Sequence, residues 1–257
     1  MKLYFKFLAV HLKSEMTYPG SFFMSCCGRL LYTLASLFSI HILMGRFGTV
    51  AGYDLGAVLL GFGVVMTAGN LAECFARGFD AFGKIVRQAQ FDRLLVRPRS
   101  LVFQVVCQDL RPASAANILT GAGVIVYAVR TSGIGWTLPK VLVLICMVFC
   151  GSLLFFGAFL VYAALCFVTL EGLEVMNIFT DGIREYSRYP YDVYGKGVLW
   201  FTTLVMPMAL VQTWPLQYLL GRGPGWYGLL PLASLWFLLP CYGLWRLGVR
   251  HYRSAGS

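Results

Sequence analysis

Charge is what this sequence has least of: charged residues make up 12% of its 257 positions, while hydrophobic residues make up 58%, and mean hydropathy is +0.71. Too few charges remain to coat a water-facing surface, which excludes an ordinary soluble enzyme or binding module. Acidic residues are scarcer still, eleven against twenty-one lysines and arginines. The three histidines (His11, His41, His251) are too dispersed for a catalytic or metal site. No HExxH and no GxSxG occurs, so the common zinc-protease and serine-hydrolase readings lose their signatures. The eight cysteines form no CxxC pair and read as small buried hydrophobes. Cys146 and Cys150 lie one helical turn apart, with no histidine or carboxylate beside them to complete a metal site.

What is present is a series of long apolar runs. Crossing a bilayer as a helix takes about 20 apolar residues, and six stretches approach or exceed that length: 22–44, 55–72, 113–129, 141–169, 198–211 and 226–245. The expectation is an all-α integral membrane protein, one transmembrane domain over 1–257 with six helices. The third and fifth stretches are short. The fourth exceeds a perpendicular span and must tilt, bend or break near Gly151 or Gly157. Pro207, Pro231 and Pro240 are expected to break or bend the late spans.

Grouped by the connections this count implies, sixteen basic residues fall on the side of the termini and four (Arg46, Arg130, Lys140, Arg222) on the other. The positive-inside bias then places both termini in the cytosol and accounts for the net charge of +10 without nucleic acid. At the start of the chain, Lys2, Lys6 and Lys13 fall within about 40° of one another on a helix, opposite Tyr4, Phe7, Leu8 and Leu12. Residues 1–20 are therefore expected to be a retained helix in the membrane interface; an amphipathic helix packed on protein is the competing reading.

Candidate chemistry is thin. Residues 78–84 fit GxxxxGK, but Ile85 stands where a P-loop needs a hydroxyl for magnesium, and no strand precedes it. A helical reading is better: Phe75, Phe79, Phe82 and Val86 share one face, and Glu73–Arg77 and Asp80–Lys84 are acid-before-base pairs four apart. Ionisable residues deep in the spans, which a proton- or ion-coupled carrier would need, are nearly absent: Arg29 is expected to snorkel, and Asp54 and Glu73 bracket the second span. Energy for any transport must then come from outside the chain.

The longest connection, 73–112, carries seven basic residues and is too long to be structureless. Pro98 sets a corner after Arg97, giving a helix-corner-helix. The second, 171–196, gathers Glu171, Glu174, Asp181, Arg184, Glu185, Arg188 and Asp192 with tyrosines 186, 189, 191 and 194. An interfacial enzyme site is one reading of it; a solvated, salt-bridged segment with aromatic anchors is the favoured one. Beyond the fifth span, residues 212–225 contain Trp214, Pro215 and the run Gly221-Arg222-Gly223-Pro224-Gly225, which reads as a short re-entrant excursion.

The stretch Glu73-Cys-Phe-Ala-Arg77-Gly78-Phe79-Asp80, followed by Phe91-Asp92-Arg93-Leu94-Leu95-Val96-Arg97-Pro98, resembles the cytosolic loop of the type-two family of ABC exporter permeases, in a bacterial subfamily of mostly uncharacterised substrate. Tyr189-Pro190, Tyr194, Pro207 and Trp214-Pro215 to Gly221 add a second similarity. The resemblance implies a permease in the bacterial inner membrane that works as a dimer with an identical or paralogous permease subunit and with two separate cytosolic ATPase subunits, ATP and magnesium being bound by those partners. It implies no catalytic residue in this chain. The connection between spans two and three would carry the coupling helix, with Phe79, Asp80, Phe91, Asp92, Leu95, Arg97 and Pro98 as coupling residues. Trp214, Pro215 and Gly221 would belong to an outer gate. An interfacial membrane enzyme, and an ATP-independent carrier or channel, are the alternatives.

Overall fold

A computed structural model describes residues 2–111, 114–169 and 182–252. Among them no strand forms, and the chain is helical nearly throughout: α1 (Lys2–Glu15), α2 (Pro19–Phe47), α3 (Leu55–Ala76), α4 (Phe82–Arg87), α5 (Phe91–Leu95), α6 (Leu101–Val106), α7 (Ser114–Thr131), α8 (Leu138–Leu165), α9 (182–186), α10 (Lys196–Leu204), α11 (Thr213–Leu219), α12 (Leu230–Ala233) and α13 (Leu238–His251). Four segments are long and apolar enough to cross a membrane: Pro19–Phe47, Leu55–Arg87, Leu138–Leu165 and Gly225–His251.

The other two expected spans differ from a simple apolar helix for physical reasons. α7 is 18 residues long, about 27 Å, and carries Ser114, Asn117 and Thr120 on its first turns. The stretch 198–211 is not one helix: α10 stops at Leu204, Pro207 follows in a run of turns, and the chain restarts as α11. Proline has no N–H to continue the ladder and its ring clashes with the preceding turn. Residues 225–251 stay continuous by alternating 3-10 and α turns around Pro231, with Pro240 in the opening turn of α13.

α3 is the axis of the bundle. It packs along α7 and α8, and its small residues set the distance: a Cβ on Gly56 would stand 2.5 Å from the Ser132 backbone, and one on Gly63 would stand 2.9 Å from Ile125. At one end, Phe79, Phe82, Phe91, Phe167, Trp245 and Tyr252 interlock edge-to-face, with most ring centroids about 5 Å apart. This cluster ties the 73–111 connection to the end of α8 and to the C-terminal helix. α1 joins the same end, where Tyr4 Oη donates to the Phe75 carbonyl (2.9 Å) and His11 bonds the Cys107 carbonyl (3.2 Å). Burial pushes the Tyr4 phenol up to about 12, so it stays a donor. Both terminal helices therefore meet one connection. Phe5 and Val10 of α1, and Met16 just beyond it, remain exposed.

Candidate functional site

The 73–111 connection folds as expected in outline and differs in detail. α3 gives way at Arg77–Phe79 to a 3-10 turn before α4, so the apolar face is not one continuous helix. Phe79, Phe82 and Val86 are buried, while Phe75 is exposed. Glu73 and Arg77 pair at 3.3 Å, but Asp80 turns back to Arg77 (3.2 Å) and not forward to Lys84, because the 3-10 turn places it on the Arg77 side. Gly78 is where α6 crosses: a Cβ there would overlap the Val105 carbonyl. The glycine of the GxxxxGK run thus serves close packing.

The seven expected coupling residues separate into two sets. Phe79 and Phe91 are fully buried in the aromatic cluster, and Asp80 and Asp92 are partly buried. Leu95, Arg97 and Pro98 are exposed, together with Val96 (83% exposed) and Arg99. The corner is held from beneath by Gln104, whose Nε2 donates to the Leu94 carbonyl (3.1 Å) and the Arg99 carbonyl (2.9 Å) on either side of Pro98. Nothing in the sequence pattern singled out Gln104, since its partners are backbone atoms.

A second group of residues had no place in the expectation of apolar spans. Glu73, buried at the end of α3, receives Arg184 (2.6 Å), Arg77 (3.3 Å) and Arg29 (3.4 Å) from three different elements, with Ser114 at 3.4 Å. One turn earlier Asn70 accepts from Asn117 of α7 (3.2 Å). Arg184 also lies over the Phe155 ring at 5.4 Å. Arg29 does not simply snorkel to water. The available signal was the spacing of Asn70 and Glu73, three apart and so on one face of an otherwise apolar helix.

Within 171–196, read as a solvated, salt-bridged segment, Arg184 and Arg188 are ion-paired and Glu185 and Tyr186 are exposed, while Ser187, Pro190 and Tyr191 are buried. Residues 171–181, with Glu171, Glu174 and Asp181, lie outside the described residues. From Arg184 onward the chain runs beside α3. Arg184 packs at Gly69, and Gln212, packed at Gly61, donates to the Ser187 carbonyl (2.7 Å). The Tyr191 N–H then donates to Thr213 Oγ1 (2.9 Å), and Asp192 accepts from Tyr53 Oη (2.7 Å) and Gln217 Nε2 (3.3 Å). Residues 184–192 therefore run from the Glu73 end of α3 toward its Tyr53 end, with the long side chains of Arg184 and Tyr53 making the contacts at either end. Tyr189-Pro190 follows the end of the helix, and two backbone groups freed there are satisfied by side chains, the Ser187 carbonyl by Gln212 and the Tyr191 N–H by Thr213. Burial, reinforced by the bond to Asp192, raises the Tyr53 phenol above its ordinary range.

Together these contacts form a polar seam inside the bundle, from Glu73 through Asn70, Ser187 and Gln212 to Asp192. Of the expected outer-gate residues, Pro215 is buried and Trp214 is partly buried, stacking edge-on with Tyr227 at 5.0 Å and donating to Thr203 (3.3 Å). Gly221 takes φ +72 to end α11. Arg222 lies over Tyr53 at 5.6 Å, which brings this region to the Asp192 end of the seam. No cluster able to hold a metal occurs among the described residues.

Searches of the curated proteins and of the solved structures return no match. The family described as ABC-2 family transporter protein matches residues 30–256, which takes in α3, the 73–111 connection, the polar seam and α13. The resemblance read from residues 73–98 and 189–221 is thereby borne out at the level of the family, and the chain belongs to the ABC-2 transporter family as a membrane permease.

Proposed function

We propose that the chain is the membrane-spanning subunit of an ATP-driven exporter, paired with a second permease subunit and driven by two separate ATPase subunits in the bacterial inner membrane. Family membership supports a permease; the observation that carries the further step is the exposed corner 95–99, held stiffly over a buried aromatic base. Isolated exposed hydrophobics are ordinary on a soluble surface. Leu95 and Val96, flanked by Arg97 and Arg99 on a braced turn, instead suit a groove on a partner protein. Leu95, Arg97 and Pro98 are read as docking residues, with Val96 added. Phe79 and Phe91 hold the base, and Asp80 steadies Arg77.

The same reading takes α7 as a third crossing and 182–204, broken at Tyr189-Pro190, as a fifth, making six with both termini cytosolic. Residues 213–229 then form the outer gate, with Trp214, Pro215 and Gly221 shaping its turn. α1 lies at the cytosolic interface, its exposed Phe5 and Val10 toward lipid together with Met16 beyond it.

The test is affinity purification of the tagged chain from native membranes in mild detergent, with the eluate assayed for ATP hydrolysis. Wild type is expected to bring down an ATPase. Val96→Asp combined with Arg97→Ala is expected to lose it while retaining the wild-type melting temperature. A clean chain without ATPase, under conditions where a known complex survives, would sink the proposal.

A further inference from the structure

Between α2, α3, α7 and α9 lies a cavity of about 280 Å³, whose wall includes Arg29, Arg184, Arg188 and Glu73 together with Gly28 and Tyr32 of α2. That volume holds a phosphate-sized group with some of its water. Its wall is unbalanced. Three guanidiniums, each with five N–H donors, face one wall carboxylate, and that carboxylate is already taken by Arg29, Arg77, Arg184 and Ser114.

Arg188 is held at the rim by Glu185 (2.6 Å), which also accepts from Tyr32. Even counting Glu185, the wall keeps one positive charge and many donors in excess. A cation would find no free carboxylate here. An acceptor-rich anion would find several donors already positioned, with part of their desolvation cost met by the fold. The apolar side is made by Phe62, Val65 and Met66 of α3, and α2 beside the cavity has most of its surface exposed, so an acyl or aryl chain that enters past α2 can lie against these three residues.

From this we propose that the cavity binds the anionic headgroup, of phosphate or carboxylate type, of an amphiphile that enters from the side of α2. This rests on the reading of the chain as the subunit that conducts substrate, and names the chemical class of that substrate. Arg188, with its neighbours Arg29 and Arg184, is the specificity-determining group.

Two variants probe it. Arg188→Gln removes the rim charge without touching the clamp on Glu73. Gly28→Leu fills the mouth, and it should fold, because a Cβ at Gly28 meets nothing within 4 Å. The purified chain in neutral maltoside micelles is titrated with dodecyl phosphate, dodecyltrimethylammonium and inorganic phosphate, with bound ligand read by native mass spectrometry and folding read by thermal unfolding.

Dodecyl phosphate is expected to bind in preference to the cation, about tenfold more weakly in Arg188→Gln, and to be excluded in Gly28→Leu at unchanged melting temperature. Equal binding of the cationic amphiphile, or unchanged affinity in both variants, overturns the assignment. Competition by inorganic phosphate at equal potency overturns the amphiphile part and makes the ligand a soluble anion. No ATPase takes part in this measurement, so its failure leaves the permease reading standing, and failure of the co-purification leaves this one standing.

Discussion

α2 and α3 are both apolar and both long enough to cross a bilayer, yet in the apolar 18-residue stretch of each segment 17% of the first is buried against 83% of the second. Hydropathy ranks them as alike because a lipid-facing helix and a bundle-core helix are equally greasy. Side-chain size separates them. α3 carries Gly56, Ala57, Gly61, Gly63, Ala68, Gly69 and Ala72, which let α7, α8 and the 184–192 stretch approach its backbone. α2 presents Phe23, Met24, Leu31 and Phe38 outward. In a membrane, small residues mark the interior more reliably than hydrophobic ones do.

Substitutions can break this contrast. The largest effect is expected from Glu73→Ala, which leaves Arg29, Arg77 and Arg184 without their shared carboxylate; removing one partner of a buried ion pair costs about 3 to 5 kcal/mol. Thermal or denaturant unfolding in detergent reads it, and a shift no larger than that of a surface alanine would discredit the clamp. Next comes Gly56→Val, which forces a branched side chain against the Ser132 backbone. About 1 to 3 kcal/mol of overpacking is expected, with loss of a cysteine cross-link engineered between α3 and α7.

Asn117→Ala removes the bond to Asn70. Interhelical polar contacts in membranes average about 0.6 kcal/mol and reach about 1.7, so a small but measurable drop in melting temperature is the expected outcome. Smallest of all is Phe38→Ala on α2, expected within about 0.5 kcal/mol in the isolated subunit. The same substitution weakening an assembled dimer, scored by cross-linking in membranes, would mean that a second subunit covers α2.

Much of the architecture was legible in the sequence. The four longest spans, the helical character of 73–87, the corner at Pro98, the break near Pro207 and the irregular turns around Pro231 all follow from apolar run length and from proline's missing donor. What escaped were features made by distance in space. Glu73 lies 44 residues from Arg29 and 111 from Arg184, and no local pattern joins them. The 184–192 stretch reads as solvated from its charges and tyrosines, while in the fold Arg184 meets Glu73, Asp192 meets Tyr53, and the Ser187 and Tyr191 backbone groups meet Gln212 and Thr213. Among the residues expected to couple, the family resemblance supplied the segment, and burial separates Phe79 and Phe91, which face inward, from Leu95, Arg97 and Pro98, which face out.

The bracing of the corner by Gln104 has a mechanical consequence. One amide ties the carbonyls on both sides of Pro98, and the helix that carries it presses its backbone onto Gly78, where there is no room for even a methyl group. The turn therefore has almost no slack. Under the docking proposed for Val96, a push there would bear through α6 on Gly78 and the end of α3, as through a strut.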